Sequence, residues 1–243
     1  MKKLLLLLLC VTLMFSCGEN KNSLTRGNIK GNVKEIIETT FYAKEAFGEP
    51  QKGDLISKTI TKYNEDGNMN ENTYYNADGE LIWKNKYQYD KDGNRTVETR
   101  YNTDGEKIYF GKFKYNEDNK VSEVIYFDES ETELGKIQFK YNEEGNINEE
   151  IKVYQSGMKE KIQFEYDSKE NIKKKVFTQY KEDDLDIEEY EYRYDKKGNM
   201  TEEIYLGKIQ DDIRFEKKFN YEFDENNNWI KLIKYVENDL DRV

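Results

Sequence analysis

This chain of 243 residues contains no histidine, and its single proline is Pro50. The absence of histidine removes the commonest general base, the commonest metal ligand and every catalytic triad that uses an imidazole. The sequence also lacks a glycine-rich phosphate loop, a serine nucleophile elbow and a cluster with metal-ligand spacing. We therefore expect a protein without catalytic activity, without a bound metal and without a cofactor.

Cysteine is scarce as well, since Cys10 and Cys17 are the only two in the chain. Both lie in or next to the one long apolar run, which begins at Leu4 after two lysines and ends at Phe15. A short basic start followed by an apolar stretch that is too short to cross a bilayer is typical of a secretory signal peptide. We predict a signal peptide over residues 1–16, which leaves Cys17 as the one mature cysteine and excludes an intramolecular disulfide.

The residues Met14-Phe15-Ser16-Cys17 resemble the lipobox of bacterial lipoproteins, in which the cysteine receives diacylglycerol and becomes the new N-terminus. The resemblance implies that Cys17 carries the lipid and anchors the chain in the bacterial cell envelope. Gly18 follows in place of aspartate, which in lipoproteins of enteric-type bacteria goes with export to the outer membrane. The alternative is an ordinary cleaved signal peptide with Cys17 as an incidental residue. We expect residues 17–30 to form a flexible linker.

The composition combines 37% charged residues with 14% aromatic residues, including 20 tyrosines. Disordered chains with this much charge usually lack aromatics, so the combination favours a β-sheet with one charged face and one aromatic face. The net charge is −11, and loss of Lys2 and Lys3 with the signal peptide leaves 37 basic against 50 acidic residues, or −13. This acidic balance argues against nucleic acid as a partner, because phosphate binding needs clustered positive charge.

A short turn motif recurs along the chain, built as an aromatic residue, Asn or Asp, two further residues and then Gly or a substitute. Successive copies are 25 to 29 residues apart, most often 26, and begin at Tyr63, Tyr89, Tyr115, Tyr141, Tyr166, Tyr194 and Phe223. A weaker turn falls near the middle of each period, as in the segment that begins at Tyr101. Each period therefore predicts one β-hairpin and its link to the next.

The residue types in the motif indicate a type I turn followed by a residue with positive φ, a conformation that glycine adopts without steric cost. Asn119 and Asn227 replace that glycine in two copies and tolerate the same conformation. Glu170 is a poor substitute, so we expect a looser turn after Tyr166. Asp90-x-Asp92-Gly93 also matches the start of a calcium loop. Because the same pattern occurs at ordinary turns, we interpret it as a turn and not as a metal site.

Between turns the residues alternate with a period of two, as in the segment where Ile137, Phe139 and Tyr141 face one way and the intervening polar residues face the other. We predict an all-β fold, an antiparallel meander of about 15 strands over residues 31–236, followed by a C-terminal tail over residues 237–243. A sheet of this width must bury its aromatic face, so we expect it to be curled, barrel-like or solenoid-like.

The segment from Tyr87 to Asn94, "YQYDKDGN", resembles the YD repeats of Rhs-type proteins. It is also similar to repeats of small bacterial lipoproteins and, more distantly, to variant MORN repeats. The likeness extends over roughly residues 55–236. Such repeats serve as shells, scaffolds and binding surfaces, and the short chain lacks the large toxin-like domain that follows the array in long Rhs proteins.

Aromatic residues are the strongest candidates for a binding surface, although the same residues could simply form the core. Trp83, Tyr87 and Trp229 could serve as stacking platforms for sugars or peptides. Adjacent pairs such as Tyr74-Tyr75, Tyr109-Phe110 and Tyr126-Phe127 must each direct one member to the polar face of a strand. We select as candidate ligand-binding residues Trp83, Tyr74, Tyr109 and Tyr126.

These observations predict a lipid-anchored, non-catalytic envelope protein that binds a glycan, peptide or protein partner. One alternative is a structural or assembly subunit of an envelope complex, with free sheet edges near Val33 and Tyr235. A more remote alternative is a glycosidase with paired carboxylates, although no pair stands out among 50 acidic residues. An outer-membrane barrel is disfavoured, because Lys174 and Lys231 interrupt the apolar face.

Overall fold

The computed structural model describes residues 22–27, 29–46, 49–180, 185–208, 215–225 and 228–238. Within these ranges the chain forms one short helix and a single antiparallel sheet of fifteen strands, ordered in space as in sequence. The elements are α1 Ser23–Arg26, β1 Glu35–Ala46, β2 Glu49–Tyr63, β3 Met69–Asn76, β4 Leu81–Tyr89, β5 Arg95–Tyr101, β6 Lys107–Tyr115, β7 Val121–Asp128, β8 Glu133–Tyr141, β9 Ile147–Tyr154, β10 Lys159–Tyr166, β11 Ile172–Tyr180, β12 Leu185–Tyr194, β13 Met200–Lys208, β14 Phe215–Phe223 and β15 Trp229–Asn238. The predicted all-β meander is therefore confirmed. The sheet is not closed, and β1 and β15 are its two edges.

The turns share one hydrogen-bond pattern, which the turn from Asp90 to Asn94 illustrates. The Asp90 N–H donates to the Asn94 carbonyl at 2.9 Å, and the Gly93 N–H donates to the Asp90 carbonyl at 3.1 Å. The Asp90 carboxylate accepts the N–H groups of Asp92 and Asn94 at 2.9 and 2.8 Å. The backbone N–H of Asn94, together with its side-chain amide, lowers the pKa of this exposed carboxyl group. The Asn or Asp of the motif thus fixes the turn, as its sequence interpretation predicts.

The expectation of a looser turn after Tyr166 is wrong. Asp167 and Asn171 pair at 2.8 Å, and Glu170 adopts a positive φ of 65°, close to the 58° of Asn119. The Asp167 carboxylate accepts two N–H bonds at 2.8 and 2.9 Å, so the turn keeps its shape whichever residue occupies the left-handed position. Asn227, the other predicted substitute, lies outside the described residues.

The two faces of the sheet differ in composition, as the alternation predicts. The lysine face carries ion pairs whose members are nine residues apart, each across the two strands of one hairpin: Lys62–Glu71, Lys114–Glu123, Lys140–Glu149 and Arg193–Glu202. The opposite, tyrosine face carries most of the aromatic residues, and its ion-paired basic side chains are less exposed. The Arg95 side chain on this face is 14% exposed, whereas the Lys114 side chain on the lysine face is 59% exposed.

A series of tyrosine hydroxyl groups, which we call the hydroxyl ladder, joins consecutive hairpins at the end of the strands where the strong turns lie. Five of the tyrosines that begin a turn donate to the backbone carbonyl of the first residue in the preceding odd-numbered strand. The donor and acceptor pairs are Tyr89–Met69 at 2.6 Å, Tyr115–Arg95 at 2.8 Å, Tyr141–Val121 at 2.7 Å, Tyr166–Ile147 at 2.6 Å and Tyr194–Ile172 at 2.9 Å. Backbone pairing between hairpins starts two residues further on, for example at Glu71 and Lys86. The hydroxyl groups therefore fasten the hairpins where the strands no longer pair.

The N-terminal segment, residues 22–27 and 29–30, reaches both ends of the sheet. At α1, the Leu24 N–H donates to the Gly67 carbonyl in the β2–β3 turn at 3.1 Å. The Lys30 N–H donates to the side-chain oxygen of Asn228, at the end of the β14–β15 turn, at 2.9 Å. The residues predicted as part of a flexible linker thus include a helix and two docking contacts.

These two contacts show how strongly the sheet curls. Six residues of extended chain, from Leu24 to Lys30, span at most about 20 Å. Eleven strand-to-strand steps separate β3 from β14, which amounts to about 50 Å along the sheet at the usual strand spacing. The two turns can share one short segment only if the sheet bends round to bring them together. The predicted curled form is therefore observed at the end of the sheet that carries these two turns. No helix among the described residues is long and apolar enough to cross a membrane.

Candidate functional site

A row of planar side chains crosses β3 to β6 on the tyrosine face. The rings of Tyr74 and Trp83 are stacked, with centroids 5.4 Å apart and an interplanar angle of 11°. The Arg100 guanidinium carbon lies 4.5 Å from the Trp83 ring centroid and 5.3 Å from that of Tyr109. Strand register creates the row, because it places Tyr74 opposite Trp83 and Arg100 opposite Tyr109. We call Tyr74, Trp83, Arg100 and Tyr109 the stacked row.

Tyr126 on β7 extends the stacked row by crossing over β6. Its ring meets Tyr109 edge-on at a centroid distance of 5.9 Å, and its hydroxyl donates to Glu98 on β5 at 2.9 Å. The crossing passes over Gly111, where an added Cβ would lie 2.9 Å from the Tyr126 ring. Glycine is therefore required at this strand position because a neighbouring side chain occupies the space.

Glu98 is fully engaged by the groups around it. One carboxylate oxygen accepts the Tyr126 hydroxyl, and the other lies 3.6 Å from the Arg95 guanidinium. Arg95 also lies over the ring of Tyr87, with 4.3 Å between the guanidinium carbon and the centroid. Burial and the adjacent Glu98 raise the pKa of the Tyr126 hydroxyl well above its usual range. Burial likewise raises the pKa of Tyr109. Both hydroxyls therefore stay protonated at neutral pH and act as hydrogen-bond donors.

Arg100 differs from the other arginines whose side chains the structure describes. Arg95 is paired with Glu98, and Arg193 is paired with Glu202 at 2.6 Å. Arg100 donates from Nε to the Asn85 side-chain oxygen at 2.9 Å and has no carboxylate partner within the described ranges. No buried side-chain nitrogen or oxygen lacks a hydrogen-bond partner in the described part of the chain. The remaining N–H groups of Arg100 are therefore open to solvent.

The four predicted ligand-binding residues, Trp83, Tyr74, Tyr109 and Tyr126, all belong to this one cluster. Their position differs from the expectation that such residues are surplus aromatics directed to the polar face. The members that lie on the lysine face are Tyr75, Phe110 and Phe127, as the strand registers place them. Phe110 and Phe127 stack at 5.3 Å, and Lys112 lies 5.4 and 5.0 Å from their centroids. Those two rings are thus covered.

The other residues singled out from the sequence are Tyr87, Trp229 and Cys17. Tyr87 lies beside the cluster against Arg95. Trp229 lies far from it in sheet order, on the edge strand β15, where it is 46% exposed. Cys17 and the signal peptide lie outside the described residues, so lipidation remains a prediction. Sequence reasoning missed Arg100, Glu98 and Gly111. Gly111 carried the one usable signal, because a glycine inside an alternating strand often marks a close approach.

No family model matches this chain, and no curated protein matches it. Several solved structures align with this chain. A crystal structure of TcdB2-TccC3-Cdc42 aligns with a TM-score of 0.37 and 14% identity, over 82% of this chain and 12% of that chain. The Tc holotoxin pore of Photorhabdus luminescens aligns with a TM-score of 0.37 and 12% identity, over 84% of this chain and 12% of that chain. A porin-like protein from Bacteroides uniformis aligns with a TM-score of 0.49 and 11% identity, over 84% of this chain and 93% of that chain. This chain thus spans about an eighth of the toxin chains.

Proposed function

We propose that this protein is a lipid-anchored, non-catalytic repeat protein of the bacterial cell envelope, held in the outer membrane through Cys17, that binds a partner on its tyrosine face. The observation that carries the binding role is the stacked row, in which Arg100 keeps solvent-facing donors between two aromatic rings. The lipobox-like sequence before Cys17 supports the anchor. The partner is a glycan, a peptide or a protein, and the membrane is reached through the lipid.

Binding suits the cluster better than catalysis does. A glycosidase needs two carboxylates on either side of the bond that it cleaves. In the described cluster, Glu98 is the carboxylate in direct contact with the aromatic residues, and Tyr126 and Arg95 occupy both of its oxygens. A single carboxylate supplies only one of the two groups that this reaction needs, so the contacts of Glu98 suit a positioning role better.

Protease treatment of intact cells tests the anchor and the location together. Cells that produce the native protein are compared with cells that produce the Cys17→Ala variant. We expect the native protein to fractionate with the outer membrane and the variant to be released or retained elsewhere. Digestion on whole cells would place the tyrosine face at the cell surface, and protection until the envelope is opened would place it in the periplasm. Identical fractionation of both proteins would contradict the anchor.

A second candidate function, an assembly subunit of an envelope complex, is favoured by the edge strand β15. Trp229 and Ile230 are adjacent on this strand, 46% and 64% exposed, so apolar surface is open on both faces of an unpaired edge. Such edges accept a strand from another chain. Co-purification from gently solubilised membranes distinguishes this candidate, and recovery as a monomer alone would count against it.

A further inference from the structure

The solvent-facing side of the stacked row offers hydrogen-bond donors and positive charge, although the chain as a whole carries a net charge of −11. Arg95 is paired with Glu98, whereas Arg100 has no carboxylate partner among the described residues, so its guanidinium carries the unpaired positive charge of the stacked row. Glu98 is already bonded to Tyr126 and Arg95, so it cannot neutralise Arg100 as well. A planar guanidinium whose terminal N–H groups face solvent is suited to a carboxylate, which it can hold by two parallel hydrogen bonds.

The aromatic rings around Arg100 strengthen this preference for an anion. Trp83 lies on β4, with Tyr74 on the neighbouring strand β3 and Arg100 on the neighbouring strand β5, so both faces of its ring are covered. The part of the stack left for a ligand is the ring edges. Aromatic ring edges are electropositive, whereas the faces are electronegative. A ligand that approaches the row therefore meets positive ring edges beside the guanidinium, and not a flat stacking platform.

Neutral polar groups continue the same row on the side of β2 and β3. Asn85 accepts the Arg100 Nε–H, and its amide nitrogen lies 3.3 Å from the Tyr87 hydroxyl. Asn72, opposite Asn85 in the register, donates to the Thr61 hydroxyl at 2.7 Å. Amide and hydroxyl groups of this kind match the hydroxyl groups of a sugar. A carboxylate with hydroxyl groups around it is the chemistry of an acidic sugar, and an aspartate or glutamate side chain lacks those hydroxyls.

We infer that Arg100 anchors a binding site for the carboxylate of a uronic acid in an acidic glycan, an inference that rests on the proposed binding role of the tyrosine face. Arg100 holds the carboxylate, and Asn72, Asn85 and the Tyr109 hydroxyl lie along the same row to receive the sugar hydroxyls. The partner in this site is a polysaccharide or oligosaccharide and not a peptide.

Equilibrium binding of three probes to the full-length, lipidated protein in detergent micelles tests this inference. The first probe is an oligogalacturonate, the second is the same oligomer with its carboxylates methyl-esterified, and the third is a poly-glutamate peptide. We expect binding of the oligogalacturonate and at least tenfold weaker binding of the ester and the peptide. Arg100→Gln should weaken oligogalacturonate binding at least tenfold. Arg193→Gln is the matched control, because Arg193 lies on the lysine face, and it should leave binding unchanged.

Arg100→Lys keeps the positive charge near Trp83 but removes the planar fork, so it separates loss of binding from loss of folding. We expect it to retain the melting temperature of the wild type and to lose most of the oligogalacturonate affinity. Equal binding of the acid and its ester, or unchanged binding by Arg100→Gln, would overturn the inference and leave the proposed binding role intact. Preference for the peptide would also overturn it. Absence of binding to all three probes would overturn it too, and the protease experiment reports separately on the proposed function.

Discussion

Tyr126 and Glu98 lie on strands β7 and β5, with β6 between them, and yet they share a hydrogen bond of 2.9 Å. The bond exists because β6 carries Gly111 at the crossing point. Two hairpins are thereby connected by a side chain as well as by the backbone. The same bond orients Tyr126 against Tyr109 and so supports the end of the stacked row.

Gly111→Ala should destabilise the protein by about 1–3 kcal/mol, because the new methyl group must displace the Tyr126 ring. Urea unfolding followed by circular dichroism measures the change. The control is the same substitution in a Tyr126→Ala background, where the crowding by the ring is gone. Of the three closest contacts of the added Cβ, only that with Val124 Cγ1, at 3.2 Å, remains there, so Gly111→Ala should cost clearly less than in the wild type. Equal costs in the two backgrounds would show that Tyr126 does not occupy the space above residue 111.

Tyr166→Phe should lower the free energy of unfolding by about 1 kcal/mol, because it leaves the Ile147 carbonyl without the hydroxyl that bonds it at 2.6 Å. Tyr75→Phe is the matched control, since Tyr75 lies on the lysine face and does not belong to the hydroxyl ladder. It should change stability by no more than a few tenths of a kcal/mol. A similar small effect at both positions would mean that the ladder contributes nothing measurable.

Alkaline pH should destabilise the protein over the range from about 10 to about 12. Burial raises the pKa of Tyr63, Tyr154, Tyr166 and Tyr194 to about 12, with further contributions at some of them from nearby acidic or phenolic groups. The unfolded chain releases these protons near pH 10, so the stability they contribute is complete below pH 10 and is lost as the pH rises through 12. Absorbance at about 295 nm reports ionisation of the tyrosine hydroxyl groups. We expect part of the tyrosine signal to appear only together with unfolding; ionisation of every tyrosine near pH 10 in the folded protein would contradict this.

The curl of the sheet predicts a short distance between turns that are far apart in sequence. Spin labels on cysteines introduced at Glu65 and Glu225 would sit on the β2–β3 and β14–β15 turns. Pulsed dipolar spectroscopy should give a distance of less than about 35 Å, whereas a flat sheet would separate the two turns by about 50 Å. In the predicted lipidated protein the thiol of Cys17 is blocked and takes no label. Labels at Glu65 and Glu117 provide an internal comparison, because these turns belong to hairpins closer together in the sheet.

The sequence was sufficient for the strands and turns because both depend on local chemistry. Alternation with a period of two indicated the faces, and an Asn or Asp followed by a residue with positive φ indicated the turns. Glu170 shows the limit of that reasoning, because the Asp167 carboxylate holds the turn without glycine. The four candidate aromatics lie in one cluster that the sequence did not predict, because their faces and partners depend on strand register. Arg100 could not be selected without that register, since its distinction is the lack of a carboxylate partner among the described residues.

The N-terminal segment also could not be interpreted from local patterns. Its place after Cys17 suggested a linker, and its contacts with Gly67 and Asn228 depend on the curvature of the whole sheet. The hydroxyl ladder was more accessible in principle. Each donor follows its acceptor by 19 to 22 residues, a regular spacing within the repeat. The residue that begins the turn is usually tyrosine and not phenylalanine, which indicates a use for its hydroxyl group.

The reach of the N-terminal segment limits how many hairpins the chain can hold. Each additional repeat would insert two strands and lengthen the arc between the first and last turns by about 10 Å. An expanded sheet that kept the present curvature per strand would carry the last turn past its present position, and a segment of fixed length would then release one of the two turns. The number of repeats and the length of the N-terminal segment must therefore change together if both contacts are to be kept. Duplication of a hairpin in this chain would succeed only together with a longer segment before β1.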